Sequence, residues 1–201
     1  MNGRLLKFLN PRLGAFSSFI SMIIGVGLIF VSMGIFPGYN ILNNWVSDLG
    51  AGSGVRPFVF GCGLVLSGYI AIPFFLSLGK NLIQEGGNEK LVKTATFFGI
   101  MACAGLTIAG YFPSNPGTLI LHGIGALIFF FSGLIFCILY SVAGVKMRKQ
   151  EKERTALGFV VAVMFALFLS TLIALTEWLV FFSIVSWVVL QGFMLLKRGN
   201  N

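Results

Sequence analysis

The chain has 201 residues, 57% of them apolar and only 10% charged, with a mean hydropathy of +0.94. Such a composition cannot clothe a water-soluble surface, which excludes a soluble enzyme or binding module and indicates an integral membrane protein. The formal net charge of +8 is accounted for by loop placement of Lys and Arg in a membrane protein, without nucleic acid.

A helix needs about 20 residues to cross about 30 Å of hydrocarbon. On that length the hydropathy divides the chain into six spans, near 13–36, 57–79, 92–112, 119–143, 156–175 and 178–196. Together they form one all-α domain over residues 1–201, organised as three hairpins. Before the first span, "RLLKFL" reads as a short interfacial helix ahead of Pro11. The first apolar run is too long for a signal peptide and is expected to be retained as a span.

Between the first two spans lies "YNILNNWVSDLGAGSGVRPF". "YNILNNWV" is expected to form an interfacial helix with Trp45 at headgroup depth, and the glycines release the chain into Pro57, a good first helical residue. Pro73 should kink the second span, with the freed carbonyl met by a neighbouring helix or a cavity. "GIFPGYN" at 34–40 and "GYFPSNPG" at 110–117 each end a span with an aromatic followed by a helix-stopping proline. The fifth and sixth spans are continuous in hydropathy, and Thr176 and Glu177 are expected to mark the tight turn between them.

Lys and Arg collect in cytoplasmic loops, and with six spans 13 of the 14 basic residues fall on one side. Both termini are therefore expected in the cytoplasm, with a prokaryotic plasma membrane as the setting. Arg56 alone lies on the other side. "KMRKQEKER" at 146–154, with its alternating signs, reads as a solvated turn rather than as a nucleic-acid patch. Glycine, 26 residues in all, is expected to let helix backbones approach closely in lipid.

The three cysteines, Cys62, Cys103 and Cys137, lie in spans and form no CxxC pair, so thiol redox chemistry is not indicated. One histidine supplies neither a bis-His haem nor a multi-His metal site, and no cofactor or metal is expected. What remains is a polar set at the outer side: Asn40, Asn43, Asn44, Ser47, Asp48, Arg56, His122 and Glu177. Asp48 either binds the amides of its own turn or pairs with Arg56. A sharper reading makes Asp48 and His122 an acid–base pair, with Arg56, Ser47, Asn44 and Glu177 binding a headgroup. For His122 alone, a bond to a neighbouring carbonyl is the simpler account.

"NWVSDLGAGSGVRPFVFGCGLVLSGY" and "GYFPSNPGTLILHGIGALIFFFSG" resemble the two signatures of a membrane family known as DUF998. The match rests on Ser47, Asp48, Leu49 and Gly50 after the first span, and on Phe112, Pro113 and His122 around the start of the fourth. The chain departs from the pattern at "RPFVFG", where the family usually shows a polar, Asn-rich start. More remotely it is similar to the six-span Frag/DRAM/Sfk group, some of whose members are tied to lipid remodelling. The resemblance implies a six-helix fold and a lipid-related role, and it supplies no reaction.

The expectation is thus a multi-pass protein that binds or modifies membrane lipids through an outer polar pocket. The alternative is a non-catalytic scaffold or subunit with a protein partner or a second copy. A small-solute transporter comes third, because no span carries an Asp, Glu, Lys or Arg near mid-bilayer.

Overall fold

The computed structural model describes residues 9–145 and 152–199. Six helices are long and apolar enough to cross a membrane: α1 (Pro11–Ile35), α2 (Val55–Gln84), α3 (Glu89–Tyr111), α4 (Leu119–Val145), α5 (Lys152–Thr171) and α6 (Ala174–Gly199). They make the chain an all-α, multi-pass integral membrane protein. The expected helix at "RLLKFL" and most of the 146–154 turn lie outside the described residues.

Local chemistry sets the helix starts. Asn10 accepts from Leu13 N at 2.8 Å ahead of Pro11, and Asn88 accepts from Leu91 N at 3.0 Å, each supplying an oxygen to an amide that has no carbonyl partner in the first turn. α2 runs on through Pro73. One residue beyond the Tyr69 carbonyl, which Pro73 leaves without its i+4 amide, the Ile70 carbonyl accepts from Ser17 Oγ of α1.

Consecutive helices pack side by side, and α1 closes on α6, so the six form a ring in chain order. Small residues set the spacing. A Cβ on Gly61 would stand 2.6 Å from the Gly110 carbonyl, and one on Gly125 would stand 2.5 Å from Ala109 N; the backbones of α2 and α4 therefore rest directly on α3. Between α1 and α2, Ser67 Oγ donates to Ser21 O at 3.0 Å and Ser21 Oγ returns a bond to Ser67 O at 3.2 Å.

The interior differs between the two ends of the ring. Toward the termini it is filled by rings in edge contact: Phe136 and Tyr140 lie 5.3 and 5.4 Å from Trp187, and Phe74 lies 6.2 Å from it. Beneath them Arg154, only 2% exposed, faces Glu85 at 3.7 Å, while Arg198 binds the same carboxylate at 2.8 Å. Arg154 is thus a packed side chain and not part of a solvated turn. At the opposite end the ring is hollow.

Two local expectations are corrected. "YNILNNWV" is not a helix: Asn40 Oδ1 accepts from Leu42 N at 2.8 Å and Asn44 Oδ1 from Asn40 N at 3.0 Å, side-chain bonds that compete with helical ones and hold turns instead. A short 3-10 helix follows, Val46–Gly50. The α5–α6 turn falls at Leu172–Ile173, with Leu172 at φ 47°. Thr176 and Glu177 belong to the first turn of α6.

Candidate functional site

The 3-10 helix Val46–Gly50 plugs the hollow end of the ring. Val46 and Leu49 are buried against Ile29 of α1, Phe60 and Leu64 of α2, Ala109 of α3 and Trp178 of α6. Below the plug is a cavity of about 140 Å³ lined by α1, α2, α3, α4 and α6. Its walls are almost wholly apolar, Met22, Phe129, Phe181 and Ile184 among them, and its few polar residues are Ser47, Ser67, His122 and Glu177. From His122 to Phe130 along α4 the lining descends about 12 Å, at about 1.5 Å per residue.

His122 is fixed by the end of the preceding helix. Its Nδ1 lies 3.0 Å from the Ala109 carbonyl and 2.9 Å from the Phe112 carbonyl. Carbonyls only accept, so Nδ1 carries the hydrogen. In the neutral ring Nε2 is then the basic nitrogen, and among the described residues nothing in the protein bonds it.

Glu177 is fixed by the plug. Its Oε2 accepts from Val46 N at 2.7 Å. Val46 N is the first amide of the 3-10 helix, which has no partner within that helix, and a carboxylate there is favoured by the hydrogen bond and the local dipole. Although 131 residues separate Val46 from Glu177, this bond fastens the α1–α2 loop to α6. Trp178 adds a second tie, donating from Nε1 to Asn44 O at 3.1 Å.

Asp48 serves the same plug from within the loop. Its Oδ2 accepts from Trp45 N at 2.9 Å and from Asn44 Nδ2 at 3.4 Å, one of the two alternatives read from the sequence. Arg56 donates from Nη2 to the Ala51 carbonyl, and its guanidinium lies 3.9 Å from the centre of the Phe36 ring. Among the described residues no ion pair joins Asp48 to Arg56 and no hydrogen bond joins Asp48 to His122. Of the six residues singled out for a site, Ser47, His122 and Glu177 line one cavity, whereas Asn44, Asp48 and Arg56 build the loop above it.

Sequence reading passed over three further residues. Asn115 pairs reciprocally with Gly52, receiving Gly52 N at 2.7 Å and donating to Gly52 O at 2.9 Å, so the α3–α4 loop clamps the α1–α2 loop. Tyr39 donates to the Trp45 carbonyl at 2.6 Å. Burial, reinforced by the Glu177 and Asp48 carboxylates, pushes its hydroxyl above the usual range and keeps it a donor. Asn115 and Tyr39 stood beside the two Phe-Pro stops, read there only as span ends; Trp178 stood next to Glu177 as one more aromatic.

Among the described residues no three His, Cys, Asp or Glu side chains group as metal ligands. The profile of the family described as "Protein of unknown function (DUF998)" matches residues 18–194. Neither the curated proteins nor the solved structures gave a match.

Proposed function

The chain belongs to the DUF998 family, and from that premise we propose that it is a lipid-handling membrane protein whose cavity receives one apolar chain with its polar head at the plug. The observation that carries this reading is the cavity itself. It has apolar walls for about 12 Å, broken only by Ser67, whose hydroxyl is bonded to the Ser21 carbonyl, and a polar rim, Ser47, His122 and Glu177, at the loop end. A small polar solute would find few partners along those walls, whereas an amphiphile matches both parts.

His122 Nε2 and the Glu177 carboxylate are the accepting groups at this rim, so acid–base work on the head would fall to them. The cavity supports binding first. The orientation proposed with it puts the plug outside and the termini in the cytoplasm of a prokaryotic plasma membrane, in line with the sequence, where a six-span reading assigns 13 of the 14 basic residues to the terminal side.

The test is native mass spectrometry after extraction in a mild detergent. Wild type should carry a lipid-sized adduct, Ala126→Leu should lose it by filling the cavity, and the outward-facing Leu127→Ala should keep it. Adducts that are equal in all three proteins would refute the reading.

A second reading, a non-catalytic scaffold, is favoured by the bonds of Asp48, Arg56 and Glu177, all of which reach backbone of the first outer loop. It is tested by whether Ala126→Leu leaves partner capture and function intact.

A further inference from the structure

Apart from the Ser47 hydroxyl, which can also donate, the polar rim of the cavity offers acceptors. The Glu177 carboxylate, 8% exposed, spends part of its accepting capacity on the Val46 amide and has no cationic partner among the described residues. His122 Nδ1 is committed to two carbonyls, leaving the acceptor Nε2. Ser67, deeper in the cavity, has already given its hydrogen to the Ser21 carbonyl. No Lys or Arg lines the space, and Arg56, the cation expected to hold an anionic head, is bound to the Ala51 carbonyl and laid over Phe36.

A buried carboxylate without a counter-charge is costly, and a ligand that supplies hydrogen-bond donors or positive charge relieves that cost. An anionic head would do the reverse, bringing a second negative charge into a poorly screened space. We propose that the cavity selects single-chain amphiphiles whose head donates hydrogen bonds and carries no negative charge, an ammonium first and an alcohol second, with Glu177 and His122 Nε2 as the accepting groups. This inference rests on the cavity being the lipid site.

The experiment uses three photoreactive dodecyl probes that carry a diazirine in the chain and differ only in the head: primary ammonium, hydroxyl or phosphate. The full-length protein is held in phosphatidylcholine nanodiscs, irradiated, digested and mapped by mass spectrometry. The ammonium and hydroxyl probes should label cavity residues such as Phe129 and Ile184, and the phosphate probe only outward-facing residues. Glu177→Gln should reduce cavity labelling by the ammonium probe about tenfold, the scale of one charge-assisted hydrogen bond, and that by the hydroxyl probe much less. Should Glu177→Gln loosen the plug, the three-head comparison in wild type stands alone. Phosphate labelling of the cavity equal to or above hydroxyl labelling would overturn the head-group selection and leave the lipid site standing. An unchanged ammonium yield in Glu177→Gln would remove Glu177 from recognition. Absence of cavity labelling by all three probes would overturn the lipid site itself.

Discussion

Replacing Glu177 by Ala should detach the plug from α6. The structure fixes the magnitude through one buried amide, Val46 N, bonded to the carboxylate at 2.7 Å. Leaving a buried amide unsatisfied costs about 1–3 kcal/mol, which puts Glu177→Ala at about 1–3 kcal/mol of lost stability. Gln retains one accepting oxygen and loses the charge assistance, so Glu177→Gln should cost about 1–2 kcal/mol. The assay is reversible unfolding in mixed micelles with increasing sodium dodecyl sulfate, combined with limited proteolysis of the glycine-rich segment 51–54. Glu177→Ala should unfold at lower detergent fraction and be cut faster there, whereas the exposed Glu89→Ala should match wild type. A Glu177→Ala protein within about 0.5 kcal/mol of wild type would refute the claim that this carboxylate holds the plug.

His122→Ala should cost about 1–2 kcal/mol in the same assay, because the Ala109 and Phe112 carbonyls lose their donor. Asp48→Asn should cost less than Asp48→Ala, since the amide oxygen can still accept from Trp45 N; equal losses would mean that the charge matters and not the cap. Gly125→Ala should destabilise by about 1–3 kcal/mol, its new Cβ lying 2.5 Å from Ala109 N, whereas Gly27→Ala, with nothing within 4 Å, should be neutral or slightly stabilising. In a cysteine-free background, Ser53→Cys on the exposed outer loop should react with a membrane-impermeant maleimide added to intact cells; labelling only after lysis would invert the topology.

Span number and order were legible because lipid imposes a length and an apolarity that hydropathy reads directly. The α5–α6 turn was not, since it is made of Leu172 and Ile173, apolar residues that read as span. The nearest polar pair, Thr176 and Glu177, drew the boundary onto itself although Glu177 is held inside α6 by amides far away in sequence. Segment 40–45 misled for a related reason: its spacing suits a helix, but its asparagines can satisfy the backbone locally and hold turns. The carbonyl partner of His122 was foreseeable from its place at a span end. Its sharing of a cavity with Ser47 and Glu177 was not foreseeable, because that depends on α1 closing against α6 and on Val46 and Leu49 turning inward. Arg56 shows the limit of reading charge alone: its isolation suggested a ligand, and the fold gives it a carbonyl and an aromatic face.

The most direct measurement is a high-resolution electron cryomicroscopy map of the wild-type protein in native-lipid nanodiscs, with a rigid antibody fragment on the outer loops. An elongated density running down from Glu177 and His122, its polar end within hydrogen-bond reach of His122 Nε2, is the predicted result. A well-defined cavity holding only water, or closed by its own side chains, would contradict the account and leave the loop residues as fasteners of a scaffold.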